Sequence, residues 1–216
     1  MIHLTKTQLE NIENKSMLIL PIDKTKIFNS VANWCKKHSV SPYDSYWYNK
    51  ALIFTLCPVQ KGDKDIWIAE DYFYIEQTKE YLFKDMFFNG KITLNETYNI
   101  SDFSWQPYSQ MTKEQSRHTI SEILDVRVVR VHDIPDSIFE KLGLQIHGGV
   151  QIADTGCYGD TYYTVGTPKE SDCGMYIENL YNEEQFDLAI DELLGKHGIC
   201  STYEDNDYVF LVEYKY

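Results

Sequence analysis

Basic runs are missing from this chain: no stretch of lysine or arginine exceeds the pair Lys36-Lys37. Its 20 basic residues face 33 acidic ones, a formal net charge of −13. Duplex nucleic acid is gripped by neutralising its phosphates, which takes a basic face. Long duplexes are therefore excluded as partners, and any nucleic-acid contact is confined to a base or a short single strand. An acidic surface suits a basic protein partner, and it also simply keeps a chain soluble.

Cysteine patterns are scarce too. Cys35, Cys57, Cys157, Cys173 and Cys200 are scattered, with no CxxC and no zinc-knuckle spacing. Neither a disulfide framework nor a structural zinc follows. His147, Cys157, Cys173 and Asp154 match no common ligand spacing, so no metal or other cofactor is expected. Walker loop, GxGxxG, HExxH and GxSxG are all absent, which removes the commonest signatures of nucleotide-fuelled, metal-assisted and serine-nucleophile chemistry. No apolar run approaches the length of a membrane span, and the opening MIHLTKTQLENIENK is too polar for a signal peptide. A cytoplasmic address and no membrane partner are expected.

What is present is a globular composition, 43% hydrophobic and 14% aromatic over 216 residues. That length most simply makes one domain, 1–216. The 17 tyrosines suit half-buried strands, where the ring packs and the hydroxyl stays wet.

Thr7-Gln-Leu-Glu10 reads as a capping box that opens a short helix ending near Asn14. Ser16 to Pro21 has strand length. Asp23 caps a second helix, with Ile27, Phe28, Val31, Trp34 and Cys35 at helical spacing. Ala51 to Leu56 and Ile66 to Ile75 read as strands, with a turn at Gly62-Asp63 between them. Asn89-Gly90 signals a hairpin. His118 to His132 is the clearest strand, with Leu124, Val126 and Val128 on one face; the doubled Val128-Val129 breaks the period and predicts a bulge. Asp136 to Leu142 is a helix stopped by Gly143. Six glycines between 145 and 180 predict a long excursion. A last helix follows the Asn182/Gln185 capping box, and Tyr208 to Tyr216 is a strand. Strands separated by short helices, without regular strand–helix alternation, predict an α+β fold around a small, mostly antiparallel barrel.

Two places offer chemistry. Glu70 follows the Gly62-Asp63 turn and an aromatic-rich strand, where it would bring a carboxylate to a barrel mouth, although an isolated strand Glu is ordinarily solvated. Trp105-Gln-Pro-Tyr-Ser109-Gln-Met111, then Ser116-Arg117, gathers aromatics, hydroxyls and a guanidinium before the strongest strand. Aromatics stack on any base and a guanidinium reads a base edge or phosphate in two hydrogen bonds. The plainer alternative is a loop anchored by Trp105, with Arg117 in a structural ion pair.

Together five segments, in order, resemble a family of small bacterial and phage proteins related to the ASCH domains of the PUA-like superfamily. Leu9–Pro21 with Lys15-Ser16 resembles "ILxGxKT", and Cys57-Pro58 to Glu70 resembles "CPYGxPGDRLWVRE". Trp105 to Arg117 resembles "WRPSIHMPRxASR", Ile123 to Ile134 resembles "VTDVRVERVQDI", and Asp207 to Tyr216 resembles "NPWVWVVEFxR". Residues 22–50, 76–104 and 145–180 diverge. The resemblance implies a PUA-like barrel whose mouth binds a nucleobase, a modified nucleoside or short single-stranded RNA. It puts Ser16, Trp67, Trp105, Ser109 and Arg117 at the ligand, with Lys15 sharing the mouth. Some ASCH relatives are amidohydrolases acting on acetylated cytidine with a lysine, a threonine and a glutamate. Lys15 and Glu70 match two of these, while the threonine's place is Leu18 and one extra residue precedes Trp67. As a hydrolase, Glu70 would act as general base and Lys15 would stabilise developing negative charge. The third alternative is an acidic phage-type interaction or inhibitor protein that uses 145–180 as its contact.

Overall fold

The computed structural model describes residues 1–10, 12–38, 53–76, 78–86, 91–93, 97–99, 101, 103–148, 161–170 and 177–216. In chain order the elements are β1 (Ile2–His3), α1 (Lys6–Leu9), β2 (Met17–Leu20), α2 (Lys24–His38), β3 (Lys64–Ala69), β4 (Tyr72–Ile75), β5 (Glu80–Phe83), β6 (Lys91–Thr93) and β7 (Thr97–Asn99). There follow β8 (Thr119–Arg130), α3 (Asp136–Leu142), β9 (Leu144–Gly148), β10 (Thr161–Glu170), β11 (Ile177–Asn182), α4 (Phe186–Lys196) and β12 (Tyr208–Lys215). The class is mixed α+β.

The frame is a curled half-barrel sheet of order β1-β3-β8-β12-β2. β1 runs parallel to β3, and the other pairings are antiparallel. Both faces of its β2–β12 side are covered. Leu18, Leu20, Phe210 and Val212 point into the curl with Ile68, Ile120, Ile123 and Val126. Met17, Ile19, Val209 and Leu211 point outward to a second core with Val131, Phe139, Leu142, Ile190, Leu193 and Leu194. This is why β2 is apolar at every position: a strand with two buried faces loses its alternation. Among the described residues no helix is long and apolar enough to cross a membrane.

Helix α1 begins two residues earlier than the sequence reading has it. Thr5, not Thr7, caps it: the Thr5 hydroxyl accepts from Gln8 N–H at 3.3 Å, and Gln8 Oε1 accepts from Thr5 N–H at 2.8 Å. This frame places buried Leu4 and Leu9 as a hydrophobic staple across the cap, which a start at Thr7 would not do. Asp23 does cap α2, its Oδ1 accepting from Thr25 and Lys26 N–H.

The expected strand at Ala51–Leu56 is not one where it is described. Ile53–Phe54 are helical, and Leu56 and Cys57 N–H reach back to Ile53 and Phe54 carbonyls at 2.9 and 3.2 Å. A short apolar run fits either structure, and here Ile53, Cys57 and Val59 bury by turning. Ile66–Ile75 is two strands, broken at Glu70-Asp71, where the chain leaves the main sheet for the β4–β5 hairpin. The β8 bulge is also displaced. Register shifts between Asp125 opposite Glu213 and Ile123 opposite Tyr214, so Leu124 is the extra residue, and it is exposed rather than inward-facing. Val128 and Val129 pair regularly with Phe210 and Val209, because one packs in each core.

The helix Asp136–Leu142 and its stop at Gly143 (φ 120°) follow the sequence, as do the Asn182/Gln185 box and the β12 strand. The glycine-rich excursion is a three-stranded antiparallel sheet, β11-β10-β9, where it is described. Asn89-Gly90 lies outside the described residues.

Candidate functional site

The break after β3 is what makes a site. Ile68 N–H donates to the His118 carbonyl at 3.0 Å, and Ser116 Oγ lies 2.7 Å from the Ile68 carbonyl and 2.9 Å from that of His118. This clamp fixes the end of β3 beside the start of β8. The next residue, Glu70, has a side chain only 4% exposed. A buried carboxylate needs a partner, and Arg117 supplies it: Nε donates to Oε1 at 3.3 Å and Nη2 donates to Oε2. The guanidinium lies over the Phe83 ring, 4.1 Å from its centroid, and Glu70 N–H points to Met111 Sδ at 3.2 Å. Ring, thioether and guanidinium together hold Glu70 in one orientation.

Asp71 faces differently. Its Oδ1 accepts from Tyr108 N–H at 3.0 Å, and its Oδ2 is 3.6 Å from Lys84 Nζ. That bond places the Tyr108 ring against His3, stacked at 3.9 Å with planes 13° apart. Partial burial of the His3 ring pulls its pKa below the ordinary histidine value, against the opposing pull of Asp71.

These groups edge a cleft of about 280 Å³ lined by His3, Leu4, Thr5, Lys6, Leu9, Glu70, Asp71 and Lys84. Leu4 and Leu9 make its floor apolar, since both belong to the inner core. α1 forms one wall and is anchored from outside by Thr5 Oγ1, which donates to the Lys196 carbonyl at the end of α4 at 2.9 Å. Chemically the cleft offers an apolar floor, two carboxylates, two ammonium groups and the His3 ring, which is stacked on Tyr108.

Of the residues singled out from sequence, Glu70 and Arg117 are brought together, and Glu70 lines the cleft. Lys15 is not among the lining residues: its Nζ donates to the Thr7 carbonyl at 3.1 Å, and burial lowers its pKa against the opposing charge of Glu10. Ser16 is exposed, and its carbonyl accepts from Tyr214 N–H at 2.9 Å. Trp67 packs beside Ala69, Tyr72, Phe83 and Met111, and Trp105 tilts against Phe103 at 5.8 Å. Ser109 is exposed in the 3-10 turn Tyr108–Gln110. Leu18, where the resemblance to ASCH amidohydrolases would put a threonine, is buried in the inner core.

His3, Asp71, Phe83 and Lys84 are not among the residues the sequence points to, whereas Tyr108 belongs to the aromatic loop 105–111 that it does. One signal for Asp71 was available: two adjacent carboxylates interrupt the apolar and aromatic run from Ile66 to Ile75, which marks a strand end. His3 and Lys84 carry no local signal, since only the fold brings them to the cleft. Among the described residues no group of three or more His, Cys, Asp or Glu is arranged to hold a metal ion. His147, one of the four residues considered for a metal, has its Nε2 2.9 Å from Thr164 Oγ1; Asp154, Cys157 and Cys173 lie outside the described residues.

Fold and site thus define an α+β protein with a half-barrel sheet and a small ligand-sized cleft at the end of β3. Comparison of the chain with protein-family models, curated proteins and solved structures finds no match.

Proposed function

We propose that this cleft binds the base of a nucleoside or nucleotide, at the mouth of a small PUA-like barrel of the ASCH type. The observation that carries the reading is Glu70, a buried carboxylate held rigid by Arg117 yet lining a cleft with an apolar floor. Such a group accepts hydrogen bonds from the N–H edge of a planar ligand, and His3, which lines the cleft and stacks on Tyr108, offers that ligand an aromatic neighbour. The five-segment resemblance points the same way. Binding is favoured over hydrolysis because Lys15 is engaged with Thr7 and is not among the lining residues, while Leu18 stands where a hydroxyl would be needed. The inhibitor reading has only the charge of −13 behind it.

The test is equilibrium binding and thermal shift with a panel of nucleobases, nucleosides and their modified forms. A true ligand at a hundred times its Kd stabilises the fold by about 2.7 kcal/mol. Glu70→Gln, which keeps the side-chain shape, should weaken that ligand at least tenfold in protein shown to be folded. If no member of the panel binds or shifts melting, the reading is wrong.

A further inference from the structure

We propose that the ligand of this cleft is phosphorylated, its phosphate monoester seated between Lys6 and Lys84. The inference rests on the nucleoside reading above and adds the anionic end of the molecule.

The charges at the site are arranged against the rest of the protein. The whole chain carries −13. Along the cleft lining Lys6 and Lys84 balance Glu70 and Asp71, and Arg117 behind Glu70 adds a third cation. Cations gathered in a concavity on a negative molecule focus an anion there. Both carboxylates keep other partners when Lys84 turns to an anion, Glu70 the Arg117 fork and Asp71 the Tyr108 N–H, so neither repels that anion at full strength.

Lys84 is available to turn. Its pair with Asp71 is long, 3.6 Å, and the two side chains are 50% and 30% exposed. Solvated pairs of this kind contribute little, and a phosphate dianion offers the ammonium more charge than one carboxylate does. Lys6 lies on the α1 wall and Lys84 just beyond the end of β5, both along the lining of the same cleft. The apolar floor and Glu70 take the base, and the phosphate falls to the lysines.

Size sets the ligand class. A cleft of about 280 Å³ lies just below the usual range of ligand pockets, roughly 300–1,000 Å³. That size limits the ligand to a single nucleotide unit at most. The same phosphate chemistry comes from a free nucleoside monophosphate or from the terminal phosphate of a short RNA.

The experiment measures, on the full chain, the affinity of the four nucleoside 5′-monophosphates, the four matching nucleosides and 5′-phosphorylated trinucleotides, for wild type, Lys6→Gln and Lys84→Gln. The best monophosphate should bind at least about tenfold more tightly than its nucleoside, with one to two counterions released in a salt titration. Each lysine variant should cut that preference severalfold, and the double variant should reduce it below twofold. A trinucleotide that outbinds every mononucleotide assigns the phosphate to an RNA terminus; equal or weaker binding assigns it to the free nucleotide. A nucleoside that binds as tightly as its monophosphate overturns the phosphate site while leaving the base pocket standing. Failure of every nucleoside and nucleotide to bind overturns the pocket itself.

Discussion

Arg117 shows how much a single partner decides. As a lone residue before a strand it reads as a rim cation, and the loss of an exposed charge costs within about 0.5 kcal/mol. In the fold it is the partner of a carboxylate that is almost wholly buried. Arg117→Ala takes the guanidinium away from a buried carboxylate, which costs roughly 3–5 kcal/mol in such pairs. The 30% exposure of the Arg117 side chain lets water repair part of this, so the low end is expected. Chemical denaturation checks it, and in a Glu70→Leu background the same replacement should cost much less, because no buried charge is left behind. A similar cost in both backgrounds would mean that Arg117 stabilises through Phe83 rather than through Glu70.

At the scale of elements, β8 and α3 were legible from their periods and β12 as an apolar, aromatic run of strand length. Asp136–Leu142 has helical spacing and ends at a glycine whose φ of 120° few other residues adopt. Gly143→Ala meets only Leu193 Cδ1, at 3.9 Å, so there is room for the methyl. Its cost should be backbone strain alone, about 1–3 kcal/mol by thermal or chemical unfolding. What was not legible depends on neighbours distant in sequence. The bulge at Leu124 exists because Gly62 N–H bonds the Ile123 carbonyl and Ile123 N–H bonds that of Asp63, each at 2.8 Å, which pins β8 against the turn before β3. Nothing local to Leu124 announces that. Likewise the split at Glu70-Asp71 is set by where Ser116 and Arg117 sit, and the cleft's His3 and Lys84 come from separate stretches of chain. The bulge has a direct test. Leu124→Ala should change stability by less than about 0.5 kcal/mol, while the buried Val126→Ala should cost 1 kcal/mol or more by order of magnitude. Equal costs would put Leu124 back on the inner face.

The two cores share the β2–β12 sheet, and the end of α4 ties the outer one to the N-terminal segment, with a buried histidine at the tie. His197 is 1% exposed; its Nε2 lies 2.9 Å from the Leu142 carbonyl, and its Nδ1 has no hydrogen-bond partner among the described residues. Burial pulls its pKa below the ordinary value; the Leu142 carbonyl opposes this, and nearby Lys15 adds to the lowering. Next to it, Lys196 receives the Thr5 hydroxyl through its carbonyl and sends its ammonium to Glu192 and the Val165 carbonyl. A histidine whose folded pKa is depressed holds fewer protons folded than unfolded. Between the folded value and about 6.5 the unfolded chain takes up more protons, so stability is full above that window and falls as pH drops through it. One such group contributes at most about 1.4 kcal/mol per pH unit. His3 shifts in the same direction, but it is exposed, and solvent screens its share. His197 should therefore dominate the acid side of the stability profile. Denaturation midpoints measured from pH 8 to pH 5 should fall below about 6.5, and His197→Gln, which can still donate to the Leu142 carbonyl, should flatten that fall while His3→Gln changes it little. A wild-type profile that stays level to pH 5, or a slope that survives in His197→Gln, would show that the buried ring is not the group being charged.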